Sequence, residues 1–383
     1  MMQQDRSSPH ILCVVGARPN FMKIAPLMRA FRSSGSGLTA SLVHTGQHYD
    51  KAMKHTFFDQ LNIPEPDVDL GVGSGSHAVQ TAQIMQRFEP VLDQYKPSAV
   101  LVVGDVNSTI ACALVAAKRQ IPVIHVEAGL RSGDRTMPEE INRILTDQLS
   151  DLLFTTESNA AANLTREGIS EEKIFFTGNV MIDSLRYNLA NAVPARQTLS
   201  EAGSSSAFVD QRYGLLTLHR PSNVDNAAVL RRLLETLAKI SQVTPLIFPV
   251  HPRTRTKITE ARLDSLIENA NILLLPPQGY LEMLGLMADA QLVLTDSGGI
   301  QEETTALGVP CVTLRDSTER PITVEQGTNT VVGTDPAAIE RAHAGIINGA
   351  GKAGRQPELW DGKAAERIVA AIANWCRSAK AAA

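Results

Sequence analysis

The sequence has no excess of basic residues, no long apolar run and no signal-peptide core. Lys and Arg number 36 against 40 Asp and Glu, which gives a net charge of −4 at pH 7, so the chain lacks the positive charge that binding to a nucleic-acid backbone requires. No apolar stretch approaches the ~20 residues that span a bilayer. Residues 1–10 are polar, unlike the start of an exported protein. We therefore predict a cytoplasmic protein that binds neither nucleic acid nor membranes.

The four cysteines argue against a disulfide framework and against a zinc site. Cys13, Cys112, Cys311 and Cys376 are widely separated, and none has the Cys-x-x-Cys spacing of metal or redox sites. Three of them lie in or beside apolar runs, which is typical of buried, reduced thiols in cytosolic proteins. We predict no metal centre.

The pattern of apolar segments predicts the fold. At 383 residues, 43% of them hydrophobic and 20% charged, the chain is globular and too long for one small core. Apolar strand patterns alternate with helical patterns in two series, beginning at Ile11 and Tyr213, which predicts two doubly wound, Rossmann-like α/β domains. The stretch 190–211 has few large apolar residues and predicts the linker. Polar residues follow the strand ends, so we expect the two sheet edges to face each other across a cleft.

One motif in the second series predicts an anion site. The apolar run Leu292–Thr295 is followed by Asp-Ser-Gly-Gly and then by a helical pattern. Ser297 is a good helix N-cap, and Gly298 and Gly299 allow a ligand to approach the backbone closely. The N–H groups and the dipole at a helix start favour phosphate. Glu303, one turn further on, can accept hydrogen bonds from sugar hydroxyls.

The first strand and helix do not form a dinucleotide site. The turn after Val15 reads Gly-Ala-Arg-Pro-Asn, not the Gly-x-Gly-x-x-Gly that cradles a pyrophosphate in nicotinamide-binding domains. We therefore predict no such cofactor. Arg18 and Lys23 flank the helix start instead, as two cations that can hold an anionic ligand.

Three carboxylates in the first series follow predicted strands or open a helix. Asp105 and Glu127 come directly after apolar strands, where a charge must be paired or functional. Glu139 lies with Glu140 in the first turn of a helix, where acids also simply answer the helix dipole. This distribution predicts that the second domain holds a phosphorylated ligand and that the first carries out the chemistry.

The motifs together resemble those of the non-hydrolysing UDP-N-acetylglucosamine 2-epimerases. They occur in family order from about Ile11 to Asp335, and nine motifs in order are far more specific than any one. They are Gly16-x-Arg18-Pro19-x-x-x-Lys23, Gly104-Asp105, His125-Val-Glu127-Ala-Gly-Leu-Arg131, Pro138-Glu139-Glu140-x-Asn142-Arg143, Thr177-Gly-Asn179, His219-Arg220, Pro249-Val-His251, Thr295-Asp-Ser-Gly-Gly-Ile-Gln-Glu-Glu303 and Glu319-Arg320-Pro321.

The resemblance implies a two-domain fold of the GT-B glycosyltransferase type, a homodimer, and interconversion of UDP-N-acetylglucosamine and UDP-N-acetylmannosamine without a redox cofactor. It divides the chain into domains at 1–185 and 186–363, with a last helix, 364–380, packed back on the first. It implies that the first domain carries the catalytic acids and the second binds UDP. The residues that it assigns to catalysis are Asp105, Glu127, Glu139 and His219. Those that it assigns to substrate binding are Arg18, Lys23, Gln278, Ser297, Gly298, Gly299, Glu303 and Arg320.

Some positions depart from the family pattern and leave alternatives open. Asn20 stands where Glu is frequent, Pro221 and Ser222 replace Arg-Glu, and Met283 stands where an aromatic residue is frequent near the uracil pocket. The exact sugar and any second regulatory site therefore stay open. The alternatives are an epimerase of a modified UDP-N-acetylhexosamine, a hydrolysing epimerase, a GT-B glycosyltransferase and a sugar-nucleotide-binding regulator.

Overall fold

The computed structural model describes residues 8–33, 35–46, 58–203, 207–210 and 212–382. The chain divides into two compact units, unit 1 with residues Met1–Tyr187 and Glu358–Ala383, and unit 2 with Asn188–Pro357. Each contains one parallel β-sheet, which confirms the predicted α/β class with two doubly wound domains. In the described part of the chain, no helix is long and apolar enough to cross a membrane.

Unit 1 contains a seven-stranded sheet with the order β3-β2-β1-β4-β5-β6-β7. Its strands are β1 (His10–Val15), β2 (Thr39–His44), β3 (Val68–Asp69), β4 (Ala99–Val103), β5 (Val123–Ala128), β6 (Leu152–Thr155) and β7 (Ile174–Phe176). Its helices are α1 (Arg18–Ser33), α2 (His77–Tyr95), α3 (Asn107–Lys118), α4 (Pro138–Leu149), α5 (Ser158–Arg166), α6 (Val180–Asn188) and, from the chain's last segment, α17 (Ala364–Ala382). Every residue of β1, β4, β5 and β6 is buried, as expected of parallel strands covered by helices on both faces.

Unit 2 contains a six-stranded parallel sheet with the order β10-β9-β8-β11-β12-β13. Its strands are β8 (Gly214–Thr217), β9 (Leu246–Pro249), β10 (Ile272–Leu275), β11 (Leu292–Thr295), β12 (Cys311–Thr313) and β13 (Asn329–Val331). Its helices are α7 (Ala195–Glu201), α8 (Ala207–Asp210), α9 (Pro221–Val224), α10 (Ala227–Ser241), α11 (Pro252–Glu260), α12 (Asp264–Glu268), α13 (Tyr280–Ala288), α14 (Gly298–Leu307), α15 (Pro321–Glu325) and α16 (Pro336–Ile347).

Helix α10 shows how the sequence builds these layers. The side chain of Asn226 accepts hydrogen bonds from the amides of Ala228 and Val229 and starts the helix, a cap that stabilises it by ~1 kcal/mol. Its leucines recur at helical spacing and are fully buried in the core of unit 2. Each contributes about 1.5–3 kcal/mol by leaving water. The leucines are Leu230, Leu233, Leu234 and Leu237.

Helix α17 is held in unit 1 by side chains from distant parts of the chain. It packs against α1, and the carboxylate of Asp183 accepts hydrogen bonds from the amides of Ala364 and Ala365. Just before the helix, the buried indole of Trp360 donates to the carbonyl of Thr156 at 3.0 Å. Asp183 therefore acts as an N-cap although it lies about 180 residues away in the sequence.

Each sheet has one point at which its strand order reverses. In unit 1 the chain builds outward from β1 to one side and restarts beside it at β4, and in unit 2 β8 and β11 have the same relation. The loops after these neighbouring parallel strands diverge and leave a crevice, the usual ligand position in open α/β sheets. Asn20, Gly104 and Asp105 flank the reversal in unit 1, and His219 and Asp296 flank that in unit 2.

Candidate active site

In unit 1, Asn20 links the loops on either side of the strand-order reversal. Its side-chain oxygen accepts hydrogen bonds from the amides of Gly16 and Ala17, at 3.4 and 3.2 Å. Its side-chain nitrogen donates to the carbonyl of Val103, at the end of β4, at 2.9 Å. The residue that departs from the family pattern thus ties the turn after β1 to the strand that carries Gly104 and Asp105.

Lys23 and Glu127 form a buried ion pair beside this turn. Glu127 lies at an irregularity of β5 and has a φ of +73°, which is rare for a side chain of this size. Gly104 also has a positive φ, and a Cβ built there would lie 2.8 Å from Nζ of Lys23 and 3.1 Å from Oε2 of Glu127. Only glycine fits here. The positive φ of Glu127 is therefore strained backbone. Such strain costs about 1–3 kcal/mol and concentrates at functional sites.

Asp105 is held by an arginine that also holds a second carboxylate. Nη1 of Arg143 lies 2.6 Å from Oδ2 of Asp105, and Nη2 lies 2.9 Å from Oε2 of Glu140. The carboxylate of Glu140 also accepts hydrogen bonds from the amides of Ser132 and Gly133. Burial alone would raise the pKa of Glu140, but these amides and Arg143 outweigh it and lower the pKa. Glu140 therefore does more than answer the helix dipole: it joins α4, Arg143 and the loop before α4.

Glu139 and Glu140 differ although they are neighbours in the first turn of α4. Glu140 is buried, whereas Glu139 is half-buried and has no ion pair within the described ranges. Asp105 and Glu127 thus lie at the ends of the paired strands β4 and β5, while Glu139 lies on the helix whose Arg143 reaches Asp105. Arg18 begins α1, but its side chain lies outside the described residues.

A histidine that the sequence showed only as part of a motif supports Gly104. Nδ1 of the buried His125 lies 2.6 Å from Oδ1 of Asp147, and Nε2 lies 2.9 Å from the carbonyl oxygen of Gly104. The other oxygen of Asp147 accepts from the amide of Gly129 and pairs with Arg131. These contacts fix the backbone between the end of β4 and Asp105.

In unit 2, His219 follows β8 and Asp296 follows the neighbouring strand β11. Nδ1 of His219 lies 2.9 Å from Oδ1 of Asp296. Asp296 is fully buried, and its carboxylate accepts hydrogen bonds from the amides of His219 and Arg220 and from the side chain of Asn223. The imidazole of His219 is 38% exposed, so it remains accessible to a ligand.

Helix α14 begins at Gly298 with Ser297 at the N-cap position, but the Ser297 side chain makes no capping hydrogen bond. The Ser297 amide instead donates to the hydroxyl of Thr295 at 2.9 Å. Within the described residues, the amides of Gly298 and Gly299 have no protein acceptor. Unsatisfied N–H groups at a helix start attract anions, as the sequence predicted for this turn.

Arg320 lies against this turn between two acids. It is buried, with Nε 3.0 Å from Oε2 of Glu302 and Nη1 2.6 Å from Oε1 of Glu319. Burial would raise the pKa of Glu319, but Arg320 and Arg315 lower it well below its usual range. A Cβ at Gly298 would lie 2.6 Å from Nη1 of Arg320. Gly298 is therefore required by this cluster as well as by access to the helix amides.

The remaining predicted binding residues have local partners. Glu303 is buried on α14 near Tyr280, whose pKa is raised by burial and by this carboxylate. The side-chain nitrogen of Gln278 donates to the carbonyl of Pro276 at 2.8 Å. Within the described part of the chain, no group of three or more His, Cys, Asp or Glu side chains is arranged to hold a metal ion.

Comparison with known proteins gives a family. The profile described as UDP-N-acetylglucosamine 2-epimerase matches residues 32–373. A UDP-N-acetylglucosamine 2-epimerase of Methanocaldococcus jannaschii is 44% identical over 93% of this chain and 96% of its own length. A Pseudomonas aeruginosa UDP-2,3-diacetamido-2,3-dideoxy-D-glucuronate 2-epimerase is 43% identical over 84% of this chain and 88% of its own.

A solved structure agrees in fold and sequence. The Methanocaldococcus jannaschii UDP-GlcNAc 2-epimerase in complex with UDP-GlcNAc and UDP superposes with a TM-score of 0.85 and 42% identity, covering 95% of this chain and 99% of that one. The GT-B type of α/β fold and the resemblance predicted from the nine motifs are both confirmed. The chain belongs to the UDP-N-acetylglucosamine 2-epimerase family.

Proposed function

We propose that this protein interconverts UDP-N-acetylglucosamine and UDP-N-acetylmannosamine without hydrolysing them. The observation that carries the proposal is the pair of strand-end sites. Unit 1 presents Asp105, Glu127 and Lys23 where its strand order reverses, and unit 2 presents free helix amides at Gly298 and Gly299. The crystal structure of the M. jannaschii relative in complex with UDP-GlcNAc and UDP supports a UDP-sugar as the ligand.

The chemistry follows from the position of the inverted carbon. Carbon 2 has no neighbouring carbonyl group, so its simple deprotonation is costly. If a carboxylate removes the carbon 2 proton while the bond from carbon 1 to the diphosphate oxygen breaks, the C–H electrons form a C1=C2 double bond and UDP leaves with the C–O pair. Return of a proton to the opposite face and re-addition of UDP complete the inversion. The balance needs no oxidant or reductant.

Unit 2 supplies the groups that hold UDP in this proposal. The helix amides and dipole at Gly298 and Gly299 bind the diphosphate, and stabilisation of the charge that develops on it is the electrostatic effect that usually contributes most to catalysis. Arg320 packs against that turn at Gly298. We further propose that Gln278 lines the uracil site and that Glu303 binds ribose.

Unit 1 supplies the acid–base groups, and burial separates their roles. The Asp105 side chain is 23% exposed, whereas that of Glu127 is 3% exposed. We therefore propose Asp105 as the base that contacts carbon 2, held in position by Arg143. Glu127 holds Lys23, which with Arg18 binds the anionic ligand, and Glu139 assists proton return or orients the sugar.

Nuclear magnetic resonance of the purified protein with UDP-N-acetylglucosamine in heavy water tests this reaction. We expect the 2-epimer to form with deuterium at carbon 2. Asp105→Asn should lower turnover by ~10²–10⁴-fold, the usual contribution of an acid–base group, with UDP affinity unchanged by calorimetry. Glu127→Gln and Glu139→Gln should lower it too. Asp93→Asn, the same change in an exposed pair with Arg119, is the control and should retain full turnover.

Other outcomes would reject the reaction and identify its alternatives. Release of free N-acetylmannosamine with UDP would indicate a hydrolysing epimerase, and dependence on an added acceptor would indicate a glycosyltransferase. UDP binding without any product would indicate a sugar-nucleotide-binding regulator. A requirement for NAD, or product without solvent deuterium, would exclude the elimination route.

A second substrate is supported by the P. aeruginosa relative, which is named for a diacetamido glucuronate. UDP-2,3-diacetamido-2,3-dideoxyglucuronate should be included beside UDP-N-acetylglucosamine in the same experiment. If its kcat/KM exceeds that of UDP-N-acetylglucosamine by tenfold or more, the diacetamido sugar is the substrate and the first assignment is wrong in its sugar but not in its reaction.

We also propose that the protein is a homodimer in the cytoplasm. Ile141 and Leu145 lie one turn apart on α4 and are 43% and 48% exposed, an apolar pair suited to burial against a second copy. Light scattering should give twice the 41.3 kDa chain mass, and Ile141→Glu with Leu145→Glu should halve it. Val243→Glu, at an exposed apolar residue of unit 2, is the control. Cell fractionation tests the cytoplasmic location.

A further inference from the structure

Asp296 is a buried carboxylate enclosed by hydrogen-bond donors. It follows β11 directly and is 0% exposed. Four N–H groups surround it: the amides of His219 and Arg220, Nδ2 of Asn223 at 3.2 Å, and Nδ1 of His219 at 2.9 Å. Three of them belong to the loop after β8, so this one side chain organises the loop that carries His219.

We propose that Asp296 is a positioning residue that acts through His219, holding its ring with Nδ1–H toward the protein and Nε2 toward the diphosphate of the substrate. The inference deepens the proposed function and rests on it. It assigns a role to a residue that the sequence motif contains but whose partner lies 77 positions away.

The hydrogen bond to Asp296 determines which ring nitrogen of His219 carries the proton. Burial alone would raise the pKa of Asp296, but the hydrogen bonds and charge of His219, with the amides of Arg220 and His219, outweigh it and lower the pKa. Asp296 is therefore an ionised acceptor at neutral pH. A carboxylate can only accept, so Nδ1 of His219 carries the proton and Nε2 is the nitrogen left for the ligand.

The other charged or titratable groups near His219 do not compete for this role. The ring of His251 lies 6.0 Å away between centroids, and its Nδ1 accepts from the amide of Arg253. Arg220 is the next residue in the chain and contributes a cation. Within the described ranges, Asp296 is the only acidic side chain within salt-bridge distance of His219.

A structural role alone does not account for a carboxylate at this position. The loop amides need an acceptor, and a neutral one would satisfy them without burying a charge, which costs several kcal/mol. A charge is useful if the ring becomes positive. When Nε2 also holds a proton, Nε2–H donates to a diphosphate oxygen as the C1–O electron pair moves onto it, and Asp296 balances the positive ring.

A double-mutant cycle tests whether Asp296 acts through His219. Asp296→Asn should lower kcat about 10²-fold and change KM less than about threefold, since general acid–base groups contribute ~10²–10⁴-fold. In a His219→Gln background, the same change should lower kcat by no more than about twofold, because groups that act as a unit are non-additive. Full additivity would overturn the inference. Asp264→Asn, which breaks a partly exposed pair with Arg255 in the same unit, is the control and should leave kcat unchanged.

A spectroscopic measurement keeps the inference testable if Asp296→Asn fails to fold or if no UDP-sugar reacts. Nitrogen-15 chemical shifts of His219 in the wild-type protein, assigned with His219→Gln, should show a protonated Nδ1 throughout pH 6–9. An unprotonated Nδ1 would overturn the inference whatever the activity. Conversely, a protonated Nδ1 in a protein that epimerises none of the UDP-hexosamines would reject the proposed function and retain the Asp296–His219 pair.

Discussion

Replacing Gly104 by alanine should lower kcat strongly without unfolding the protein. The new Cβ would lie 2.8 Å from Nζ of Lys23, well inside the 3.4 Å at which ordinary contact begins. Lys23 must therefore retreat by roughly 0.6 Å or more, since atoms closer than contact distance repel steeply. It cannot move freely, because it is paired with Glu127, whose own Oε2 would be 3.1 Å from the Cβ.

The expected effect has two separable parts. A positive φ costs a non-glycine residue about 1–2 kcal/mol, and Gly104 has a φ of +66°. Displacing the Lys23–Glu127 pair adds a loss of turnover, and misplacement of a catalytic group by about 1 Å costs on the order of 10²-fold. We expect kcat to fall at least 10²-fold.

Gly168→Ala is a control for the first part alone. Gly168 has a φ of +86°, and a Cβ there meets nothing within 4 Å. This variant should lose about 1–2 kcal/mol of stability from the positive φ and keep full turnover. Melting temperature and initial epimerisation rate should be measured for both variants. If Gly104→Ala keeps turnover within threefold of the Gly168→Ala protein, the Lys23–Glu127 pair is not part of the catalytic site.

Three further predictions concern the other charged groups. Gly298→Ala should weaken UDP binding at least tenfold in calorimetry, whereas Gly345→Ala, which meets nothing within 4 Å, should not; equal affinities would place the phosphates elsewhere. Burial raises the pKa of Asp183 to about 6, so its contribution to stability is fully present below its unfolded pKa and is lost as pH rises through about 6. The free energy of unfolding of Asp183→Asn should therefore rise relative to that of wild type between pH 4 and 7.5, by up to about 3 kcal/mol. Melting temperatures of both proteins across this pH range measure the effect, and a difference that does not change with pH would contradict it. Lys23→Met and Glu127→Gln should each lower stability by about 3–5 kcal/mol because each leaves a buried charge without its partner; the double variant should recover at least half, and additive losses would show that the pair is not coupled.

The sequence alone determined the fold and the positions of most candidate groups. Alternating apolar and helical patterns specified two parallel sheets because strands covered on both faces must be apolar throughout. Asp105 and Glu127 could be recognised because a charge directly after such a strand requires a partner or a function. The edge strand β3, of two residues, escaped prediction because a segment of that length has no readable periodicity.

Only the tertiary structure decided which charges meet. Glu139 and Glu140 are indistinguishable in sequence, and the direction of each side chain from α4 made Glu140 the buried partner of Arg143. Asp296 meets His219 because β8 and β11 are adjacent, although five helices and two strands separate them along the chain. Periodicity encodes which side of an element is buried, but strand order, fixed by the crossovers, determines which strand ends lie together.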